Sequence, residues 1–473
     1  MSTEEIVFSS AKTLARRIRD RELSAREVMI AHIEQVERIN PTVNAIVSML
    51  NPEVAIERAN EADRAPGDGP LHGLPIAFKD LEDAVGFPNT QGSPIFADRY
   101  PETDSVIVER LKNAGAIPIG KTNVPEFGLG SHTYNNVFGP TRNPWDLSRT
   151  AGGSSGGAAV ALATGMLPIA DGSDTGGSLR NPGNFNNVVG FRVSSGLVPK
   201  VPTALPWLHL GVKGPLARSV EDVGFLLSAM AGFDPRDQIS YPVDAASFAG
   251  DLTVDPKHLR IAWSTDLGGL PVDPAVRSVV DGARSMFEAI GCAIDDACPD
   301  FTDADDLFKD LRALGMTPSA DLMRAHRDQM KPEAIWNIEA GLALSAEDVS
   351  RAMIRQSTLF QRMSTFMDRY DAFVCVVNQV PPFPIDIAYP TEIDGTKMET
   401  YIDWMKSAYY VTSTRMPAIS VPAGFTPDGL PVGIQIVGKY RGDLDLLKIA
   451  NAFEQATNHG ARRPALVLQN LAT

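Results

Sequence analysis

The sequence predicts an α/β protein: a large, mixed, mostly parallel β-sheet sandwiched by helices. Three observations predict it. Short apolar runs of strand type alternate with helical runs along most of the 473 residues, which is how a helix-covered sheet is written in sequence. Hydrophobic residues make up 44% and charged residues 21%, ordinary usage for a chain with a substantial core. A Gly/Ser-rich stretch directly follows a strand-type run, the place where open α/β sheets collect ligands.

The elements follow in order. The first forty residues read as two helices, the second opened by the capping box Ser24-Ala-Arg-Glu27 and amphipathic to Val36. A third helix is expected over Glu53 to Ala65, broken by Gly67-Asp68-Gly69-Pro70, so residues 1–66 form an N-terminal helical segment. Strands are then expected at Leu74 to Phe78, Ala116 to Ile119, Leu167 to Ala170, Leu259 to Trp263, Ala372 to Val377 and Val432 to Val437. Helices are expected at Ser105 to Ala114, Ala158 to Thr164, Val220 to Ala231, Ala275 to Ile290 and Leu444 to Ala456. Asp234 to Lys257, rich in Asp and Pro, reads as a surface linker. Residues 300–371 are charged, methionine-bearing and almost free of strand signals, and are expected to be a helical insertion over the active site. Segments around Met316, Met323 and Trp336 would form its lid. No solenoid-period repeat interrupts the chain, which is read as a single domain, 1–473.

Composition also excludes functions. The formal net charge of −15 opposes nucleic-acid binding, which needs a basic face to neutralise phosphates. The acidic start Met-Ser-Thr-Glu-Glu lacks the basic and apolar regions of a signal peptide, and the longest apolar runs are too short to span a bilayer. Cys292, Cys298 and Cys375 are read as free thiols, and their spacing matches no common metal motif. A cytoplasmic protein without nucleic-acid or membrane partners is expected, with homodimerisation left open.

Two Gly/Ser elements carry the chemistry. Thr150-Ala-Gly-Gly-Ser154-Ser155-Gly-Gly157 runs straight into an Ala-rich helix. It lacks the Gly-Lys-Ser/Thr ending of a phosphate loop. Gly153 to Gly157 formally matches a G-x-S-x-G nucleophile elbow, but that elbow needs a strand before it and a histidine partner; Asp146 to Thr150 is polar, and neither His209 nor His326 has a distinctive context. The second element is Asp171-Gly-Ser-Asp174-Thr175-Gly176-Gly177-Ser178-Leu-Arg180. Two glycines before a serine let consecutive N–H groups point one way, as an oxyanion hole requires. Lys79, at the end of an apolar strand, is a common snorkelling position by itself; beside two Gly/Ser loops it becomes a candidate base.

Together these residues make the chain resemble the amidase signature family. The resemblance lies in Gly73-Leu-Pro-Ile-Ala-Phe-Lys79-Asp80, in Gly152 to Gly157, in Asp174 to Arg180, and in the spacing of Ser154 from Ser178. Further matching text is Phe138 to Trp145, Gly214 to Asp222, Pro422 to Phe425 and Gly429 to Gly433, so that only Asp234 to Tyr409 lies outside it. The resemblance implies a Ser–cis-Ser–Lys triad without cofactor or metal: Ser178 as nucleophile, Ser154 relaying a proton from a cis peptide bond, and neutral Lys79 receiving it. Burial would keep that lysine neutral. The N–H groups of Thr175, Gly176, Gly177 and Ser178 would hold the oxyanion. Ser155 would support the triad, and Arg180 would pair with Asp174 rather than bind substrate.

The sequence departs from the family pattern at Asn181 to Gly190 and at Arg192-Val-Ser194, which bears on pocket shape and not on the triad. Phe127, Gly128, Leu129 and Gly130 are expected to line the substrate pocket, and Trp207 either lines it or lies in the core. The expected substrate is an apolar or aryl amide, with carbamates and esters as related targets of the same attack. Two other readings stand beside this one: the amidase subunit of a glutamine-dependent tRNA transamidase, and an inactive homologue serving in binding or assembly.

Overall fold

The computed structural model describes residues 1–65, 67 and 69–469. Pro66, Asp68 and residues 470–473 fall outside it, and with them part of the expected break after the third helix and the far ends of the expected segments 1–66 and 1–473.

Three helices precede the first strand where two were expected: Thr3–Val7, Ala11–Arg19 and Ala25–Val43. The Ser24/Glu27 capping box is formed, but the helix runs on past Val36 to a left-handed Asn44, because Ile39 and Val43 continue its buried stripe. The helix Pro52–Arg64 follows.

The strands are β1 Ile46–Val47, β2 Pro75–Lys79, β3 Ile117–Thr122, β4 Ile169–Asp174, β5 Val189–Arg192, β6 Val212–Ala217, β7 Arg260–Trp263, β8 Ala293–Asp296, β9 Ala372–Val376, β10 Glu392–Ile393, β11 Thr396–Lys397, β12 Ala418–Phe425 and β13 Pro431–Val437. They form a three-stranded sheet β1-β3-β2, a β10-β11 hairpin and an eight-stranded sheet β4-β6-β5-β12-β13-β9-β7-β8. The large sheet is mixed, as expected, but its parallel share is small. Only β9-β7 and β7-β8 pair in parallel; β4-β6, β6-β5, β5-β12, β12-β13 and β13-β9 are antiparallel. Strand–helix alternation predicts parallel neighbours only when each helix returns the chain in the same direction. Here β12 and β13 are joined by a short turn, and β4 and β5 both pair with β6, which arrives later in the chain.

Two boundaries matter for the site. β2 ends on Lys79, one residue beyond the expected run, and all five of its residues are buried. β4 runs past Ala170 through Asp171-Gly-Ser-Asp174. That polar text reads as loop, yet it pairs residue by residue with β6. Lys79 N–H donates to Asp171 Oδ1 at 3.0 Å, which joins the edge of the small sheet to the edge of the large one.

Residues 304–367 are mainly helical: Ala304–Met316, Ala320–His326, Pro332–Ala343 and Ala346–Met367. Asp234 to Lys257 is more than a surface linker. Phe248 is buried, and its carbonyl lies 2.4 Å from where a Cβ on Gly224 would stand, so this segment packs against the helix Val220–Met230. No described helix is long and apolar enough to cross a membrane.

Candidate active site

Lys79 is fully buried, and its Nζ lies 2.8 Å from Ser154 Oγ, 2.8 Å from Ser155 Oγ and 2.9 Å from Ser173 Oγ. Three hydroxyls around one nitrogen suit a neutral amine: two N–H groups donate and the lone pair accepts. Burial, reinforced by the nearby Lys213 cation, brings the Lys79 pKa down to about 7, against the opposing pull of Asp171, Glu82 and Asp174. Asp171 moves the other way. Burial and Glu82 push its carboxyl up to about 7, so it too is partly neutral beside the lysine.

The Gly153–Ser154 peptide is cis. Ser155 immediately precedes the helix Gly156–Ala163, and its N–H donates to the Ser178 carbonyl at 3.2 Å, which ties the two loops together. No strand leads into Ser155 and no histidine lines the cavity described below, so the nucleophile-elbow alternative has neither of its parts. Of the three serines, Ser178 is the most accessible, at 8% against 2% for Ser154 and 0% for Ser155, and it alone of the three lines the cavity.

The loop carrying Ser178 is held from behind by Asp174. Its carboxylate accepts from Gly177 N–H (2.9 Å) and Leu179 N–H (3.2 Å), and from Arg180 Nε (3.0 Å) and Nη2 (2.9 Å). Burial pushes the Asp174 carboxyl up, but the Arg180 and Arg192 guanidinium groups hold it well below the usual carboxylate range. Arg180 is completely buried and also donates to the Ala408 carbonyl, Thr412 Oγ1 and the Gln435 amide oxygen. It is tied to the protein and does not face the cavity. The Gly177 N–H, expected at the oxyanion, is instead taken by Asp174. Those of Thr175, Gly176 and Ser178 have no partner among the described residues.

The cavity has a volume of 530 Å³. Phe127, Gly128, Leu129 and Gly130 line it, beside Thr175, Gly176 and Ser178. Gly128 has φ +68°, and a Cβ there would meet Leu81 Cδ1 at 2.8 Å and stand 3.5 Å from Ser154 Oγ, so glycine lets this wall approach the site. Trp207 does not line the cavity and is not core. It is 67% exposed, at the tip of the turn closed by Leu208 N–H on the Leu205 carbonyl, and that turn presents Leu205 and Leu208 to the cavity instead. The helix Ala304–Met316 supplies the facing wall through Phe308, Leu311, Arg312 and Met316. Met323 and Trp336 do not line it: Met323 packs in a second apolar cluster behind Leu129, with Phe127 and Met316 against it, and Trp336 is half exposed, edge-on to Tyr401.

Sequence reasoning missed Ser173, Asp171, Lys213 and Arg192. The clue for Ser173 and Asp171 was alternation: at positions 171 and 173 of an extended strand, side chains share one face. Lys213 pairs with Glu82 across two chain segments, and Arg192 donates to the Asp174 carbonyl at 2.6 Å. Neither pairing has a local signature.

Comparison with known proteins places this geometry. The amidase family model matches residues 27–447. The chain is 35% identical to an acylamidase of Rhodococcus erythropolis, covering 98% of this chain and 99% of the relative. It is 33% identical to one subunit of the glutamyl-tRNA(Gln) amidotransferase of Carboxydothermus hydrogenoformans, covering 98% of this chain and 100% of that one. The structure of a bacterial aryl acylamidase of the amidase signature family superposes with a TM-score of 0.88 at 28% identity, covering 97% of this chain and 99% of that one. The protein is an amide-hydrolysing enzyme, and the chain belongs to the amidase signature family.

Proposed function

We propose that the enzyme hydrolyses apolar or aryl amides through an acyl-enzyme on Ser178. Ser178 Oγ attacks the carbonyl carbon as its proton passes to Ser154 Oγ, and the Ser154 proton passes to the Lys79 lone pair. The N–H groups of Thr175, Gly176 and Ser178 receive the oxyanion; Gly177 serves through Asp174 by fixing the loop. Collapse of the tetrahedral intermediate breaks the C–N bond, and the relay returns the proton to the leaving amine. Water then attacks the ester by the same route, releasing the acid and restoring Ser178. Ser155 and Ser173 hold the Lys79 amine in place. A carbamate or an ester presents the same carbonyl to the same attack.

The observation that carries this reading is the buried Lys79 amine, 2.8 Å from Ser154 Oγ and with its pKa at about 7. Apolar specificity is supported by the cavity wall of Phe127, Leu129, Leu205, Leu208, Phe308 and Met316. The test is hydrolysis of a simple anilide. Ser178→Ala is expected to reduce the rate by at least about 10⁴-fold. Retention of the wild-type rate would remove Ser178 from the mechanism.

Likeness to the amidotransferase supports a second reading, glutamine hydrolysis for a partner. Against it, no carboxylate lines the cavity to pair with the α-ammonium of glutamine. Glutaminase activity exceeding anilide hydrolysis would reverse that preference.

A further inference from the structure

The molecule is strongly acidic, with a formal net charge of −15, yet the cavity containing Ser178 is lined by two cations, Lys200 and Arg312, and by no aspartate or glutamate. The two come from different elements. Lys200 lies on the loop after β5, and Arg312 on the helix Ala304–Met316.

Neither has an ion-pair partner among the described residues. Lys200 Nζ donates only at long range, 3.4 Å each, to the carbonyls of Leu208 and Gly211. The Asp237 carboxylate acts on Lys200 through its charge but forms no ion pair with its amine: it accepts the Lys200 backbone N–H at 2.7 Å and the Ile239 N–H at 3.0 Å. Arg312 donates to Asn337 Oδ1 at 2.8 Å, and its guanidinium lies over the Tyr401 ring, 5.2 Å from the centroid. It therefore retains donors for a further acceptor.

Lys200 also stands close to the reacting centre. A Cβ on Gly211 would lie 3.0 Å from Thr175 Oγ1 and 3.8 Å from Lys200 Nζ, and Thr175 begins the loop that carries Ser178. A half-buried cation without a direct ion-pair partner is costly, and a cavity that concentrates such cations selects for negative charge in what it binds. Burial and Lys213 bring the Lys200 pKa down to about 8, so it is mostly charged at neutral pH and has much to gain from an anion.

Resting on the proposed amide hydrolysis, we infer that the preferred substrates are amides bearing a carboxylate, held by Lys200 with Arg312 as second anchor, while the apolar wall accepts the spacer or aryl part between carboxylate and amide. Lys200 and Arg312 act in specificity and not in bond breaking.

The test compares 4-nitroanilides of matched length: succinyl and glutaryl, each with a terminal carboxylate, against the neutral butyryl and valeryl compounds. The readout is the ratio of kcat/KM, charged over neutral, measured on one preparation, so that a reduced folded fraction cancels. Wild type is expected to favour a carboxylated member at least ten-fold. Lys200→Met is expected to lower that ratio at least ten-fold, Arg312→Met at least three-fold, and Lys200→Arg is expected to retain most of it. A wild-type ratio of one or below, or a ratio unmoved by Lys200→Met, overturns the inference. Neutral anilide hydrolysis that is lost in Ser178→Ala would in either case leave the proposed reaction standing. An enzyme inert on all four compounds would overturn both.

Discussion

The loops that carry Ser154 and Ser178 and the helical wall that faces them are built on opposite plans. From Thr150 to Pro199 nearly every residue is buried, and the groups at the centre have defined partners: Lys79 among three hydroxyls, Asp174 between Arg180 and Arg192. The helices Ala304–Met316 and Ala346–Met367 bury one face each and carry exposed charge on the other. The first region is over-determined, so the reacting groups keep one geometry. The second shares its buried face with the core of the sheet and leaves its outer face free to vary. On the proposed mechanism the reaction belongs to the first region, while substrate choice is shared between the helix Ala304–Met316 and the loops carrying Phe127 to Gly130 and Lys200, and several substitutions can break that division.

The largest effect is expected at Lys79. Lys79→Ala removes the proposed base and leaves three hydroxyls without their shared partner; anilide turnover at neutral pH is expected to fall at least about 10³-fold. Unaltered turnover would detach the base from the first region. Arg180→Met is expected to act on the fold. Removing one partner of a buried ion pair costs about 3–5 kcal/mol, so thermal denaturation should show a drop in Tm of several degrees. A Tm at the wild-type value with altered KM alone would make Arg180 a substrate ligand instead. The Asp174 contribution carries a sign as well. Its folded pKa is lowered, so the stability it supplies is present above the usual carboxylate range and is lost as the pH falls below it.

A smaller, graded effect is expected in the pH profile. On the proposed mechanism Lys79 acts as a neutral base, and burial brings its pKa to about 7, so kcat/KM for a neutral anilide should rise with pH through about 7. Lys213 is one cause of that depression. Lys213→Met should therefore make Lys79 more basic and move the rising limb to higher pH; an unmoved or lowered limb would contradict the assignment. The smallest effect is expected at Trp207, exposed at its turn. Trp207→Ala should change stability by no more than about 0.5 kcal/mol and leave anilide kcat/KM within a factor of two. A large loss in KM would return Trp207 to the substrate wall.

Legibility in the sequence follows the same division. The motifs around Lys79, Ser154 and Ser178 are contiguous text, and the Asp174–Arg180 pairing could be proposed from them because both residues lie in one loop. The strand directions could not be read, since whether β6 pairs between β4 and β5 depends on connections and not on local pattern. Asp171 and Ser173 read as loop because polar residues in a largely buried strand imitate one. Trp207 looked like pocket or core because aromatic bulk reports no orientation; its place at the tip of a turn decided it. Lys200 and Arg312 were silent, since their meaning comes from what the folded chain fails to place beside them.

The mechanism turns on which oxygen takes the acyl group. Acid-quenching the enzyme within milliseconds of mixing with an activated aryl ester of a short-chain acid, followed by peptide mass spectrometry, reads that directly. One acyl mass on the peptide containing Ser178, located to that residue and absent from Ser178→Ala, is the predicted result. An acyl group on Ser154, or full turnover by Ser178→Ala, would contradict it.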